Sequence, residues 1–271
     1  MTSSSDEKQT VGFFDSGVGG LTVLNAFLEQ AGSFSFHYLA DTAHCPYGDR
    51  PLEEVKEYAL AATNFLVSRG CQTVVMACNI SSSIALEEAR RRHPGVSVSG
   101  LVNENLGSVV NQQAANDKVG VLATSGTVKS NRYAEVLSAF GLQVIQQACS
   151  PLVPLVEAGE LEGHAVKNTL DPLLAPLLEA NVSAVVLGCT HYPFLLKPLK
   201  KLLPDSISII DPGEVLAAYL APRFSGNGDR RPGDFWATGS QESLHELIPH
   251  FSFEAPEQIS EVSLPLTSLT T

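Results

Sequence analysis

The sequence predicts an α/β protein of two pseudo-symmetric parallel-sheet lobes, with helices on both faces of each sheet and the active site in the cleft between them. Three observations predict it. Short β-branched runs alternate with amphipathic helical stretches, the pattern of parallel sheets covered by helices. The plan occurs twice: Val11-Gly12-Phe13-Phe14 runs into a glycine-rich turn, and Val119-Gly120-Val121-Leu122 runs into Ala123-Thr124-Ser125-Gly126-Thr127. In each half, about 70 residues after the opening strand, a second apolar strand delivers a cysteine, Cys78 or Cys189, an internal repeat that suggests two related lobes.

The first strand, near Val11 to Phe14, ends in Asp15-Ser16-Gly17-Val18-Gly19-Gly20. The helix after it carries Leu21, Leu24, Phe27 and Leu28 on one face. A strand near Ser35 to Leu39 leads into a loop from Asp41 to Pro51. The next helix turns Val55, Ala59, Ala62 and Leu66 inward and stops at Gly70. Thr73 to Met76 is the strand that brings Cys78 to its C-terminal end. Ser81, Ser82 and Ser83 are capping types and predict a helix start there, before Ile84 to Arg92. In the second half, Ala184-Val185-Val186-Leu187-Gly188-Cys189 mirrors the segment ending at Cys78. Asp211-Pro212-Gly213 ends a strand and returns the chain to the first lobe. Phe235-Trp236-Ala237-Thr238 reads as a last strand, with a helix to about Phe251. The expected division is 11–102 with 212–254 for the first lobe and 103–211 for the second. Residues 1–10 and the Ser-, Thr- and Pro-rich 255–271 are expected to be irregular tails.

Composition narrows the function. The net charge of −12 repels phosphate backbones and speaks against a nucleic-acid partner. No apolar run reaches the roughly 18–20 residues that span a bilayer, so no membrane partner is expected. Met1 to Thr10 is polar and lacks the apolar core of a secretory signal. Five cysteines, an odd number, are expected as free thiols in a reducing cytoplasm. They form no CxxC or Cys/His ligand cluster, which disfavours structural zinc and dithiol redox chemistry. There is no P-loop, and Gly17 to Gly20 does not fit GxGxxG, so neither a cofactor nor a metal is implied.

In parallel α/β sheets, ligands sit at the C-terminal ends of the strands, where Cys78 and Cys189 fall. A helix start after Cys78 would lower its thiol pKa and attract an anion such as a carboxylate. Two thiols in opposed lobes suit a proton transfer across a carbon centre. A base is needed on one face and an acid on the other, because one group alone returns the proton to the side it left. A lone strand-end cysteine is more often packing, so it is the pair that carries this reading. With reacting distances of about 3–3.5 Å on each side, the two sulfurs are expected roughly 6–9 Å apart.

Several segments together resemble glutamate racemases of the aspartate/glutamate racemase superfamily. They are Gly12-Phe13-Phe14-Asp15-Ser16-Gly17-Val18-Gly19-Gly20-Leu21, Asp41-Thr42-Ala43 with Pro46-Tyr47-Gly48, Ala77-Cys78-Asn79, Gly126-Thr127-Val128-Lys129-Ser130 and Gly188-Cys189-Thr190-His191-Tyr192-Pro193. They span about Val11 to Gly239, and the first and last are specific in combination. The resemblance implies a cofactor-independent racemase that interconverts L- and D-glutamate for peptidoglycan in the cytoplasm, and it leaves room for a homodimer. It implies that Cys78 faces the α-proton of the D-enantiomer, with Asp15 assisting. It implies that Cys189 faces that of the L-enantiomer, assisted by His191, with Glu157 behind it. Asp15, Ser16, Tyr47, Gly48, Asn79, Ile80, Thr190 and His191 would line the substrate site, with hydroxyls from Thr124 and Thr127. By themselves, Asp15-Ser16 also reads as a helix cap, Pro46-Tyr47-Gly48 as a turn, His191 as a core histidine and Glu157 as a solvated charge. His44 is expected to have a loop role, and Cys45, Cys71 and Cys149 to be packing residues.

The pattern departs from the family at two places. Ile80 stands where the family has threonine, which removes a hydroxyl contact worth on the order of 1–2 kcal/mol. Ser150 stands where proline is common. The competing readings are a racemase of another acidic amino acid such as aspartate, and a catalytically silent amino-acid-binding relative, which Ile80 favours. Single-thiol relatives are disfavoured because both cysteines are present.

Overall fold

Val11, Phe13 and Phe14 have no exposed surface because β1 (Thr10–Asp15) lies inside a sheet covered on both faces. Such a strand reads as a continuous apolar run rather than an alternating one. The computed structural model describes residues 9–31, 34–224, 233–251 and 253–266. The ends of both expected tails, 1–8 and 267–271, lie outside the described residues.

β1 leads into α1 (Gly20–Ala31), which buries Leu21, Leu24, Phe27 and Leu28. β2 (Ser35–Ala40), α2 (Leu52–Ser68) and β3 (Thr73–Met76) follow, then α3 (Asn79–Ile84), α4 (Leu86–Arg92) and β4 (Ser97–Gly100). The second half runs α5 (Glu104–Gln113), β5 (Lys118–Ala123), α6 (Ser125–Ser130), α7 (Arg132–Ser138), β6 (Gln143–Ala148) and α8 (Leu152–Glu157). It continues with α9 (His164–Glu179), β7 (Ala184–Gly188), α10 (Leu196–Leu202) and β8 (Ser208–Ile210). The chain closes with α11 (Pro212–Leu220), β9 (Phe235–Ala237), α12 (Glu242–Leu247) and β10 (Ile259–Glu261).

The repeat read from the sequence is explicit in the topology. The first sheet contains β2-β1-β3-β4 and the second is β6-β5-β7-β8, so its four strands take the same spatial order. All the pairings in both sheets are parallel. β9 and β10 extend the first sheet beyond β2. Leu216, Ala217 and Leu220 of α11 share one apolar core with Leu21, Leu24 and Phe27 of α1, so the chain after β8 packs against the first sheet. No helix among the described residues is long and apolar enough to cross a membrane.

Two local expectations are corrected, and one strand was not foreseen. The segment after Ala255 is not wholly irregular, because β10 pairs with β9 with Ile259 opposite Phe235. A three-residue edge strand with one buried apolar side chain leaves no periodic signal among Ser, Thr and Pro. Ser81, Ser82 and Ser83 lie inside α3 rather than capping it, and Cys78 occupies the cap position in extended conformation. The hydroxyls of Ser82 and Ser83 bond backward, to the carbonyls of Met76 and Asn79 at 2.9 and 2.8 Å. β4 carries no legible strand pattern, since Ser97-Val98-Ser99-Gly100 holds one apolar residue.

Candidate active site

β1, β3 and β7 are central strands, and the residues just past their C-terminal ends converge on one narrow cavity. Cys78 follows β3 by two residues and Cys189 follows β7 directly. Both are buried, and both line this cavity. Ser16, Tyr47, Gly48, Asn79, Ile80, Thr124, Thr127, Thr190 and His191 line it too. Pro46, Val153 and Gly188 complete the wall. They escaped the sequence reading because an apolar or glycine lining residue looks like any core or turn residue.

Asp15 and Glu157 do not line the cavity but stand next to residues that do. Asp15 is fully buried and accepts hydrogen bonds from the Gly17 N–H at 3.1 Å and the Thr190 hydroxyl at 3.3 Å. Burial pushes its carboxyl above the usual range, and the charge of His191 and the turn's N–H groups partly offset that. Glu157, at the C-terminus of α8, lies 2.6 Å from Nε2 of His191. Nδ1 of the same ring lies 3.7 Å from Sγ of Cys189. Carboxylate, imidazole and thiol therefore form one chain. Burial disfavours charge on His191, yet its hydrogen bonds to Cys189 and Glu157 outweigh that and hold the ring's pKa well above the ordinary value. Burial also opposes ionisation of Glu157, but the bond to His191 keeps its carboxyl below the usual range.

The Cys78 side differs. Burial, followed by the Asp15 charge, pushes the Cys78 thiol up to about 12. The expectation that a helix start lowers this thiol is therefore corrected: α3 is short, and desolvation outweighs its field.

The glycine-rich turn after β1 is needed for close approach. A Cβ on Gly19 would come within 2.3 Å of the Thr190 hydroxyl, and one on Gly17 within 2.7 Å of a Glu157 oxygen. Cys189's neighbours and Glu157 thus seat directly against the turn that holds Asp15. Ile80 makes a similar bridge, because a Cβ on Gly126 would stand 2.4 Å from its Cδ1.

Other polar residues are fixed from behind. The Tyr133 hydroxyl donates to Oδ1 of Asn79, which leaves the Asn79 NH2 group as a donor at the cavity. The hydroxyls of Thr124 and Thr127 are 3.0 Å apart. Asp41, fully buried, accepts from the hydroxyls of Tyr47 and Thr238 and lies 2.9 Å from Nδ1 of His44. His44 also stacks on Tyr58, with ring centroids 4.0 Å apart, so its role is in the loop. Cys71 and Cys149 pack in apolar cores, but Cys45 places its sulfur 3.9 Å from Oε1 of Glu157. Ser150 has more to do than a proline could. It donates to Asp49 at 2.9 Å and accepts from the Ser125 N–H at 3.0 Å, tying the loop after β2 to the second sheet.

Comparison with known proteins agrees with this geometry. The Asp/Glu/hydantoin racemase family model matches residues 22–220. A glutamate racemase of Pseudomonas aeruginosa is 36% identical over 263 residues, covering 94% of this chain and 98% of its own. A glutamate racemase isoform of Bacillus anthracis superposes with a TM-score of 0.85 at 30% identity, covering 95% of this chain and 98% of that one. The Francisella tularensis glutamate racemase, solved in complex with D-glutamate, gives the same TM-score at 25% identity, covering 96% and 99%. The chain belongs to the Asp/Glu/hydantoin racemase family.

Proposed function

We propose that this protein interconverts L- and D-glutamate by proton transfer between Cys78 and Cys189, and that the D-glutamate serves peptidoglycan synthesis. The observation that carries the reading is the pair of buried thiols. They sit at equivalent strand ends of two sheets with the same strand order, and both line one cavity. The naming of the relatives as glutamate racemases, one of them holding D-glutamate, supports the choice of substrate.

The α-carbon sits between the sulfurs. Cys189 takes the proton of L-glutamate as a thiolate paired with protonated His191, and Cys78 delivers a proton to the opposite face. The reverse reaction exchanges the roles. Asp15 stands behind the Cys78 side as the group that can relay its proton, and Glu157 holds the charge on His191. Asn79 and Ser16 offer donors for the substrate carboxylate beside Thr190, whose own hydroxyl donates to Asp15, while Thr124 and Thr127 offer hydroxyls from the other wall. The positive ammonium of the substrate favours the Cys78 thiolate that burial alone opposes.

The direct test incubates the chain with each enantiomer of glutamate and aspartate in D2O, without added cofactor, and follows α-deuteration and optical rotation. Racemisation of glutamate with deuterium incorporation is expected. Loss of rotation only with aspartate would replace the substrate, and neither exchange nor racemisation would leave a binding protein.

Ile80 gives a second expected result. Its side chain lines the cavity and carries no hydroxyl for the carboxylate. Ile80→Thr is expected to lower KM for glutamate about threefold to tenfold with a smaller change in kcat, as a ground-state hydrogen bond does. Steady-state kinetics on both enantiomers measures it. A wild type that is inert, with racemisation appearing in Ile80→Thr, would favour the silent-binder reading.

A further inference from the structure

Three serines follow one another in α3, and their hydroxyls have different fates. Ser82 donates to the Met76 carbonyl and accepts from the Leu101 N–H at 3.0 Å, and Ser83 donates to the Asn79 carbonyl. Ser81 is fully buried, and its Oγ has no partner that meets hydrogen-bond geometry. Buried polar atoms in a native protein are nearly always paired, so each exception needs an account; among the described residues Ser81 Oγ shares this state with Gln146 Oε1 and the Tyr192 hydroxyl, and it alone of the three lies on the helix that Cys78 caps. Ser81 is the third residue of α3, whose cap is Cys78, and it does not line the cavity. Cys78 at the cap and Ser81 at the third helical position are the pair in which a cap side chain and an N–H approach one another, and both the hydroxyl and the N–H of Ser81 favour the thiolate. A neutral thiol is a weak acceptor and a thiolate a strong one.

We propose that Ser81 is a positioning residue whose hydroxyl acquires its hydrogen-bond acceptor only when Cys78 becomes a thiolate, so that the unpaired donor is preorganised for the charged form of that cysteine. The inference rests on Cys78 being an acid and base of the racemisation. A group without an acceptor in the resting state and with one in the reacting state lowers the barrier by the difference, the property that preorganised donors share. The surroundings of Cys78 otherwise oppose the charge. Burial first, then Asp15 at the end of β1 and Cys189, raise its pKa, and burial, with the charge that Cys78 would carry adding to it, pushes up Tyr38, Tyr47 and Cys45. Ser81 stands apart from these groups as a donor on the helix that Cys78 itself caps.

The test is Ser81→Ala in the full chain, read at each cysteine. The protein is alkylated with iodoacetamide over pH 7 to 10 without substrate, and the modification of each cysteine is followed by peptide mass spectrometry. A thiol one unit less acidic is tenfold less ionised, but its anion is about threefold more nucleophilic, so the rate at Cys78 is expected to fall by about twofold to fourfold at a given pH. The rate at Cys189 is expected to stay unchanged. In racemisation, kcat/KM is expected to fall about threefold to tenfold with KM nearly constant, and Ser81→Thr, which keeps the hydroxyl, is expected to restore most of it. Removing an unpaired buried hydroxyl is not expected to lower the melting temperature. The proposal is overturned if Cys78 alkylates at the same rate in wild type and Ser81→Ala. A parallel change at Cys78 and Cys189 accompanied by a lower melting temperature would also overturn it, because that is the signature of packing. Should Ser81→Ala not fold, the same rates read in Ser81→Thr and Ser81→Cys decide, with a lower Cys78 rate expected only in the cysteine variant. The alkylation is read without substrate, so a failure of the racemase reading leaves this result distinct.

Discussion

Cys78→Ser and Cys189→Ser are each expected to lower racemisation of glutamate by about 10²–10⁴-fold, the range that a positioned acid or base contributes. A serine hydroxyl fits the space of either sulfur but is far less acidic than a thiol, so the protein should fold while one face loses its proton carrier. The two variants should differ in a way that the overall rate cannot show. Enantiomers have equal free energies in water, so the equilibrium constant is one, and kcat/KM for the two directions must stay equal in any variant. The asymmetry of the site therefore has to be sought in isotope exchange. In Cys78→Ser the remaining thiol, Cys189, should still remove the α-proton of L-glutamate and return a deuteron to the same face. L-glutamate then gains deuterium without losing rotation, and D-glutamate does not. Cys189→Ser should show the converse. The measurement is mass spectrometry of each enantiomer recovered from D2O. Racemisation at the wild-type rate in either variant, or exchange of both enantiomers by a single-thiol variant, would contradict a two-thiol site.

What the sequence disclosed follows from the physics of each part. The strands around Phe13, Val75 and Val186 are buried on both faces, and such strands must be apolar throughout, so they are legible. The repeat itself is legible because each half carries the same strand, turn and cysteine, whereas the spatial order of the strands emerges only in the sheets. Asp15 and Glu157 read equally well as a cap and a solvated charge. Only the approach of Thr190 to Asp15 and of His191 to Glu157 distinguishes those readings, and a contact between residues 175 or 34 positions apart leaves no local pattern. The raised thiol of Cys78 was misjudged because a helix start is visible in the chain, whereas desolvation depends on the whole surrounding fold. Ser150 and Asp49, 101 positions apart, were hidden for the same reason. β10 was missed because three residues cannot show a period.

His191→Asn is expected to lower kcat/KM by about 10²-fold in both directions, at the lower end of general acid–base contributions because the Cys189 thiol itself remains. His191 is almost wholly buried, with Glu157 on one ring nitrogen and Cys189 on the other. Its environment holds the ring protonated well above the ordinary histidine range. In the proposed mechanism a charged imidazolium 3.7 Å from Sγ stabilises the thiolate that takes the proton of L-glutamate, and asparagine supplies no such charge. Exchange of L-glutamate in D2O should therefore fall with racemisation, while exchange of D-glutamate, which depends on Cys78, should persist. Glu157→Gln separates position from charge. Glutamine can still accept a hydrogen bond from Nε2, so the ring stays in place, but the negative charge that holds its proton is gone. The folded-state pKa of His191 then falls, and activity that needs the imidazolium is lost at lower pH as the pH rises. The expected result is a high-pH limb of kcat/KM shifted downward in Glu157→Gln, with a drop of about tenfold at its optimum. Unchanged pH limbs in Glu157→Gln, together with less than a threefold loss in His191→Asn, would make this chain of three residues a packing device and leave Cys189 to ionise without help.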